Sequence, residues 1–261
     1  MYHFLDCGDR RRLENFGGVI CDRPAPTATG SRRAPELWRQ ATLIYDGEKW
    51  RGAPPPVWQF ADATTPTRLQ LYLGAKGQVG FFPEQIANWR WLEKIVAPHA
   101  GMKMLNLFAH TGGATLVGAA AGAAVCHVDA AGAAVKQARR NAALSGLADA
   151  PIRWLVDDAG QFLRREIKRG NFYDGIILDP PAFGRCGKTQ WKLSRDLPEL
   201  LRLVARALSP TAKFVLFTCH APDWSDDLAA YFPAAKIATT PLTAGGQLPL
   251  GQARRLTFDD N

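Results

Sequence analysis

The sequence predicts an α/β fold, a mostly parallel sheet with helices on both faces, preceded by a small β-rich extension. From residue 100 onward, short apolar runs alternate with segments of helical composition. This order is typical of parallel strands joined by right-handed crossovers. Residues 1–66 instead contain short apolar pieces separated by Pro, Gly and Thr. We therefore assign residues 1–66 to the extension and residues 67–261 to the main domain.

Apolar runs define the predicted strands of the main domain. They cover residues 102–107, 123–128, 152–156, 173–178 and 213–218. Helices are predicted between them, at residues 113–122, 131–145, 159–169 and 189–208. Residues 68–82 indicate a hairpin, with a helix beginning at Pro83. Residues 234–258 indicate a final antiparallel pair.

A glycine turn follows the first strand of this series. The stretch from Met104 to Thr115 joins an apolar run to Gly112 and Gly113, and a small-residue helix follows. Strand, turn and helix N-terminus can form a cradle for a nucleotide-like cofactor, because glycine permits close approach and the first helical N–H groups can donate. The next strand ends on Asp129, whose carboxylate can accept hydrogen bonds from both ribose hydroxyls. A tight connection without a ligand is the alternative, since the pattern is not G-x-G-x-x-G.

A second motif ends the strand predicted at residues 173–178. It reads Asp179-Pro-Pro-Ala-Phe183, and its two prolines give a rigid, extended turn without N–H groups. The Asp179 carboxylate and the turn carbonyls can then face a ligand, with Phe183 as a flat apolar surface beside them. The alternative is a strand-ending turn with a buried Phe183. The place of the motif in the strand–helix series favours the functional interpretation.

With these motifs in order, residues 102–220 resemble a class I S-adenosylmethionine (SAM) dependent methyltransferase. Within that superfamily the chain is similar to the large-subunit ribosomal RNA cytosine methyltransferases over roughly residues 70 to 258. The matching motifs are Asn106-Leu-Phe-Ala-His-Thr-Gly-Gly113, Asp129, Asp158-Ala159, Asp179-Pro-Pro-Ala-Phe183, Gly80-Phe-Phe-Pro-Glu-Gln85 and Leu248-Pro-Leu-Gly251. The resemblance implies a Rossmann-like, seven-stranded methyltransferase sheet, SAM as the cofactor and RNA as the partner.

The resemblance also assigns the cofactor site residue by residue. Asn106 would hydrogen-bond the ammonium group of SAM, and Asp129 would take the ribose hydroxyls. Asp158 and the Ala159 backbone would bracket the adenine, with Asp157 as the adjacent alternative. The remaining assigned residues wrap the methionine and ribose portions or line the site beside them: Phe108, His110, Thr111, Gly112, Gly113, Ala114, Asp179 and Pro180.

Two reaction chemistries follow from this site. At C5 of cytosine the carbon is a poor nucleophile, so a thiolate must first add to C6. Cys219, at the end of the strand after the Asp-Pro-Pro strand, is the predicted nucleophile, and His220 could modulate its acidity. At an exocyclic amine, Asp179 would accept the hydrogens while Phe183 stacks on the base. A buried structural role for Cys219, and Cys186 as the nucleophile, are the alternatives.

Charge favours a polyanionic partner. The net charge is +8, and residues 185–206 hold six cations against Asp196 and Glu199, a surplus of four directly after the Asp-Pro-Pro turn. A solvated helix face is the alternative explanation. The predicted substrate contacts are Gln85, Pro181, Phe183, Arg185 and Lys188. The competing functions are methyl transfer to a small molecule or a protein, and a catalytically silent module that binds SAM or RNA.

Composition places the chain among ordinary soluble globular proteins, with 47% apolar and 21% charged residues. Its five scattered cysteines include no C-x-x-C pair, so we expect reduced thiols and no metal site. No apolar run reaches the roughly 18 residues of a membrane span, and the N-terminus does not resemble a signal peptide. We expect a cytoplasmic protein that does not enter a membrane; the sequence predicts no oligomeric state. In the extension, Trp38, Trp50 and Trp58 are interpreted as core anchors rather than base-stacking surfaces.

Overall fold

The computed structural model describes residues 1–61, 67–186, 189–221 and 227–258. The chain forms two compact units, Met1–Ile86 with Leu242–Leu250, and Ala87–Pro241 with Gly251–Asn261. The predicted domain boundary, between residues 66 and 67, adjoins residues 62–66, which lie outside the described residues. It stays a prediction.

The first unit contains a five-stranded sheet in the order β1-β2-β3-β4-β5. Its strands are β1 Tyr2–Gly8, β2 Arg11–Phe16, β3 Val19–Pro24, β4 Leu43–Tyr45 and β5 Trp50–Arg51, with a short helix α1 Pro35–Trp38 before β4. Neighbouring strands are antiparallel except β3 and β4. Trp38 and Trp58 are buried, as expected of core anchors, whereas Trp50 is partly exposed and donates to the Gly74 carbonyl. The predicted β-rich extension is confirmed.

The hairpin predicted at residues 68–82 has a different partner from the expected one. Strand β7, Arg68–Gln70, pairs with β6, Gln59–Ala61, so that Phe60 lies opposite Leu69 and both are buried. Residues 72–79 close a separate loop, in which the Tyr72 amide donates to the Val79 carbonyl. The hairpin prediction was wrong because it ignored the apolar partner strand upstream.

A 3-10 turn at Pro83–Gln85 leads into helix α2, Ile86–Val96, so Pro83 begins a helical turn as predicted. Gln85 and Glu84 are both buried. Neither side chain therefore faces solvent, and no side-chain hydrogen bond caps this turn among the residues described.

A seven-stranded sheet has the order β10-β9-β8-β11-β14-β16-β15. The later strands of the chain are β8 Lys103–Leu107, β9 Ala124–Asp129, β10 Ile152–Val156, β11 Gly175–Leu178, β12 Phe183–Cys186, β13 Thr189–Lys192, β14 Phe214–Cys219, β15 Lys236–Ala244 and β16 Leu248–Thr257. The later helices are α3 Gly113–Ala120, α4 Gly132–Leu144, α5 Ala159–Lys168, α6 Leu193–Ala207 and α7 Leu228–Tyr231. Strands β10, β9, β8, β11 and β14 are parallel, and β16 is antiparallel to β14. The predicted Rossmann-like sheet is confirmed.

Packing on the two faces of the sheet explains the sequence pattern. One face is covered by α5 and α6, and Leu105, Phe162 and Leu201 belong to its buried apolar cluster. On α3 the residues must be small. A Cβ on Gly118 would lie 2.2 Å from Cε of Met104, which is on β8. The small-residue helix therefore packs closely on the sheet, as its composition predicts.

One predicted helix starts later than expected. Helix α6 begins at Leu193 rather than at residue 189, because the apolar spacing of three and four starts there. Residues 189–192 instead form β13, which pairs antiparallel with β12. A pair of antiparallel strands thus follows the Asp-Pro-Pro turn directly, and residues 187–188 lie outside the described residues.

None of the helices in the described ranges is long and apolar enough to cross a bilayer.

Candidate active site

The predicted site residues of the second unit collect at one edge of the sheet. Loops leave the carboxyl ends of β8, β9, β10, β11 and β14, and these five parallel strands end on the same side. The chain runs from β8 to β9 and β10 in one direction, and later from β11 to β14 in the other. The crevice between β8 and β11 is therefore the topological switch point, where ligands bind in open α/β sheets.

The loop after β8 has an unusual backbone. Phe108 and His110 have φ values of 54° and 47°, and Gly112 has a φ of 90°. Left-handed conformations in non-glycine residues are uncommon and cluster at binding sites, where the surrounding structure maintains them. Here the His110 amide donates to Asp129 Oδ2 at 2.8 Å, and Asn141 Nδ2 donates to the Thr111 carbonyl at 2.9 Å. The loop is held in this shape from two sides.

The structure explains why glycine occupies both positions of the turn, Gly112 and Gly113, which the sequence alone did not reveal. Gly112 is the N-cap of α3 in the left-handed conformation. Gly113 faces Trp89 of α2, and a Cβ on Gly113 would lie 2.1 Å from Cζ2 of that ring. Glycine at 113 is required by helix packing. Among the described residues no side chain caps α3, so its first N–H groups can donate to polar atoms of a ligand.

Asp129 lies at the end of β9 beside this loop. Its Oδ2 accepts from the His110 amide and its Oδ1 accepts from the Ala131 amide, both at 2.8 Å. The carboxylate is thereby fixed in orientation, and its remaining lone pairs suit the two hydroxyls of a ribose.

A series of buried, hydrogen-bonded polar side chains links β8, α3 and β9. Asn106 Nδ2 donates to Thr115 Oγ1 at 2.9 Å, and Thr115 Oγ1 lies 2.9 Å from His127 Nδ1. Burial and, to a smaller extent, the nearby His110 together lower the pKa of His127 to about 3. Neutral His127 can accept from the threonine hydroxyl at Nδ1. The amide oxygen of Asn106 is the atom that could accept from an ammonium group, because its nitrogen can only donate.

The two aspartates after β10 already have structural partners. Asp158 is the N-cap of α5, and its side chain accepts from the Gln161 amide at 2.9 Å. Asp157 accepts from the Asp158 amide and forms an ion pair with Arg165. Both carboxylates lie next to Ala159, the first residue of α5. The choice between Asp158 and Asp157 for the adenine stays open, since each retains acceptor capacity.

Asp179, directly after β11, lies near two histidines. Burial lowers the pKa of His110, whereas the charges of Asp129 and Asp179 raise it, so the histidine lies near both carboxylates. From the other side, His220 Nε2 is 3.7 Å from Asp179 Oδ1. The structure thus brings the predicted residues after β8, β9, β11 and β14 together.

Cys219 is the last residue of β14 and only 2% exposed. Burial raises the pKa of its thiol, and the charge of Asp179 raises it further, while the Ala221 amide and Arg254 act in the opposite direction. Gly251 of β16 lies against this strand end, where a Cβ would be 2.3 Å from the Cys219 carbonyl oxygen. The glycine of the Leu248-Pro-Leu-Gly251 motif is therefore explained by close strand packing. At neutral pH the Cys219 thiol is protonated.

The hairpin of β12 and β13 carries the aromatic residue of the second motif. Phe183 is 73% exposed, so the alternative of a buried Phe183 is wrong. Pro180 is buried while Pro181 is exposed, and the Pro181 carbonyl accepts from Trp191 Nε1 at 2.6 Å. The Trp191 ring also lies 5.3 Å from that of Phe108, between ring centroids.

The other predicted substrate residues do not all enter this site. Gln85 belongs to the first compact unit, and its role stays a prediction. Lys188 lies outside the described residues, and only the backbone of Arg185 is described, in β12. Of the cations on α6, Arg195 pairs with Asp196 and Arg202 with Glu199, the two acids already subtracted in the predicted surplus of four.

Four residues of the site were missed by the sequence analysis. They are Thr115, His127, Asn141 and Trp191. A signal existed for one of them. Asn141 continues the buried stripe of α4 after Ala134 and Ala138, so a polar residue there indicated a buried hydrogen bond. In the described residues no group of acidic, histidine or cysteine side chains could hold a metal ion, and the four described cysteine side chains are free.

Comparisons with known proteins support a methyltransferase site. The crystal structure of the SAM-dependent methyltransferase from Agrobacterium tumefaciens has a TM-score of 0.89 and 33% sequence identity, and the match covers 100% of this chain and 90% of that chain. Ribosomal RNA large subunit methyltransferase I of Shewanella denitrificans is 30% identical over 143 residues, or 54% of this chain and 35% of that protein.

A second curated relative has a different designation. Ribosomal RNA large subunit methyltransferase K/L of Shewanella frigidimarina is 32% identical over 130 residues, or 48% of this chain and 18% of that protein. The matches therefore span about a third or less of the length of these curated relatives.

The donor set fits SAM. A fixed carboxylate at Asp129 suits the ribose, the N-terminus of α3 offers N–H groups, and acceptors for an adenine amine stand after β10. The family description "S-adenosylmethionine-dependent methyltransferase" matches residues 10–230, well over half of the chain. By this match, and by the site that its residues form, the chain belongs to the SAM-dependent methyltransferase family.

Proposed function

We propose that this chain methylates RNA, with ribosomal RNA as the substrate and C5 of a cytosine as the target. The observation that carries the RNA part is Phe183, 73% exposed and four residues beyond Asp179. An exposed ring at this position can serve as a base-stacking surface, because single-stranded RNA bases stack on aromatic side chains. The net charge of +8 and the two curated relatives named for ribosomal RNA add support.

The chain's own residues hold and orient the cofactor. When bound, SAM supplies a methyl group activated on a sulfonium. Asp129 accepts from the ribose hydroxyls, Asp158 or Asp157 together with the Ala159 amide recognises the adenine, and the α3 N-terminus meets the methionine portion. Since the loop is held by Asp129 and Asn141, most of this geometry exists before the ligand binds.

For the cytosine route, Cys219 must act as the nucleophile. Its thiolate adds to C6 of the base, which makes C5 nucleophilic. After C5 is methylated, its proton leaves to a base and the C6–S bond breaks, which restores the aromatic ring and the thiolate. His220 and Asp179, 3.7 Å apart, are the polar side chains beside this strand end that can exchange protons. Because burial raises the pKa of Cys219, its thiol is protonated before the substrate binds. The thiol proton must therefore leave when the cytosine binds.

One observation favours a second candidate, methylation of an exocyclic base amine. A thiol that is 2% exposed, with a raised pKa, is a poor nucleophile, whereas the Asp179 carboxylate is 35% exposed beside the turn. Asp179 would accept the amine hydrogens and so direct the nitrogen lone pair to the methyl group, while Phe183 holds the base. This route leaves Cys219 as a packing residue.

The test is transfer of labelled methyl from SAM to total RNA from cells lacking this gene, followed by nucleoside analysis. Wild type is compared with Cys219→Ala and Asp179→Asn. Cys126→Ala is the matched control, since Cys126 is a buried thiol of the same sheet with a pKa raised to about 11.

The thiolate route is supported if the label appears in 5-methylcytidine, is lost in Cys219→Ala and is retained in Cys126→Ala. Label in an N-methylated nucleoside, retained by Cys219→Ala but lost in Asp179→Asn, replaces it with the amine route. Absence of label in all RNA refutes the proposal and moves a small molecule or protein ahead. Phosphate contacts also predict that transfer to RNA falls steeply with added salt.

A further inference from the structure

The hairpin of β12 and β13 has two different faces. In the antiparallel register Phe183 lies opposite Lys192, and Gly184 lies opposite Trp191. Directly opposite residues share a face and successive residues alternate, so Phe183 and Lys192 are on one face while Gly184 and Trp191 are on the other. Phe183, Lys192 and Gln190 are exposed, whereas Trp191 is half-buried. We call these the outer and inner faces of the hairpin.

The inner face attaches the hairpin to two motifs at once. Trp191 Nε1 donates to the Pro181 carbonyl at 2.6 Å, which fixes the hairpin to the Asp-Pro-Pro turn. Its ring packs 5.3 Å from that of Phe108, the left-handed residue that begins the cofactor loop. One side chain therefore touches both the cofactor loop and the turn that leads to Phe183.

We propose that Trp191 is a positioning residue that transmits occupancy of the cofactor loop to the hairpin, and so sets the position of the outer face that receives the RNA base. The RNA part of this inference rests on the proposed function. A ligand that orders Phe108 restricts the Trp191 ring, and the hydrogen bond to Pro181 passes the restriction to the strand that bears Phe183. By linkage, RNA bound on the outer face must tighten cofactor binding by the same factor.

The first test uses S-adenosylhomocysteine (SAH) and needs no RNA. Hydrogen exchange of the Phe183–Cys186 and Thr189–Lys192 amides is measured with and without saturating SAH, in wild type, Trp191→Ala and Trp191→Phe. The Phe variant keeps a ring against Phe108 and removes the donor to Pro181. Phe172→Ala, an exposed aromatic in the same compact unit, is the control.

In wild type and the control, SAH should slow exchange of the hairpin amides by about fivefold or more. Fivefold is the lower end of the typical coupling between two binding sites. In Trp191→Ala the effect should vanish while SAH still binds, and Trp191→Phe should retain only part of it. Equal slowing in wild type and Trp191→Ala, or none in wild type, overturns the proposal.

The second test separates this inference from the proposed function. Binding of a labelled single-stranded RNA of mixed sequence is measured with and without SAH. Tighter binding with SAH in wild type but not in Trp191→Ala supports both. RNA binding without any effect of SAH in wild type overturns the inference and leaves the proposed function standing. Failure to bind RNA, with Trp191-dependent protection of the hairpin intact, supports the coupling and refutes the RNA substrate.

Discussion

Gly113→Ala tests whether the glycine turn is shaped by helix packing or by the ligand. The added Cβ would lie 2.1, 2.7 and 2.9 Å from three atoms of the Trp89 ring, which is buried and rigid. Overpacking of this kind costs about 1–3 kcal/mol. Alanine in place of glycine within a helix returns roughly 0.5–1 kcal/mol. At mid-range values the steric effect is the larger by about 1 kcal/mol, so we expect a net destabilisation of that size without any ligand.

The assay is thermal unfolding without ligand, in parallel with SAH binding by calorimetry. For a chain of this size the melting temperature should fall by about 2–4 °C per kcal/mol. Gly132→Ala is the matched control, because Gly132 is also the first residue of a helix, α4, and a Cβ there meets only Val156 at 3.8 Å. That variant should be as stable as wild type or slightly more stable. If Gly113→Ala keeps wild-type stability and only loses SAH affinity, the packing explanation is wrong and the glycine serves the ligand.

Three further predictions concern single side chains. Asp129→Asn removes the charge that holds the His110 and Ala131 amides. In a calorimetric titration it should weaken SAH binding roughly 10- to 150-fold, which corresponds to the loss of one charged hydrogen bond. Unchanged affinity would exclude Asp129 from the cofactor site. His127 has a folded-state pKa of about 3, below its ordinary 6.5, so the unfolded chain binds more protons and stability should fall as pH drops from about 7 to 5. His127→Gln should be less stable than wild type at pH 8 but should lose less stability on acidification. The free energy of unfolding is measured by denaturant at each pH, and equal slopes against pH in the two proteins would contradict this prediction. Phe183→Ala should raise the KM for RNA roughly 5- to 150-fold, which corresponds to the loss of one stacked base. The affinity for SAH and the melting temperature should not change. An unchanged KM would exclude Phe183 from the RNA site.

The order of strands and the edge that carries the site were predictable because the pattern was local. Each buried strand is a short apolar run, and each candidate acid, Asp129, Asp158 and Asp179, lies within two residues of the end of one. Since parallel strands end on one side, their proximity followed from the alternation alone. The bounds of the five parallel strands agree with the prediction to within two residues.

What the sequence could not supply are contacts between distant residues. Nothing local indicates that Trp89 packs on Gly113, that Gly251 packs on the Cys219 carbonyl, or that Trp191 reaches Phe108. The helix predicted from residue 189 failed for a similar reason. Residues 189–192 are held as a strand by pairing with β12, a partner across a turn. Apolar spacing identifies the buried face of a helix but not the residue at which the chain first becomes helical.

The division of the β12–β13 hairpin into two faces has a consequence for how such an enzyme can be altered. Phe183, Gln190 and Lys192 face away from the contacts that tie the hairpin to the Asp-Pro-Pro turn. If RNA binds the outer face as proposed, a library randomised at these three positions would vary RNA recognition while leaving Trp191 and the cofactor loop intact. New substrate preferences could then arise on a constant catalytic frame, because the outer-face residues alternate with Gly184 and Trp191 along β12 and β13.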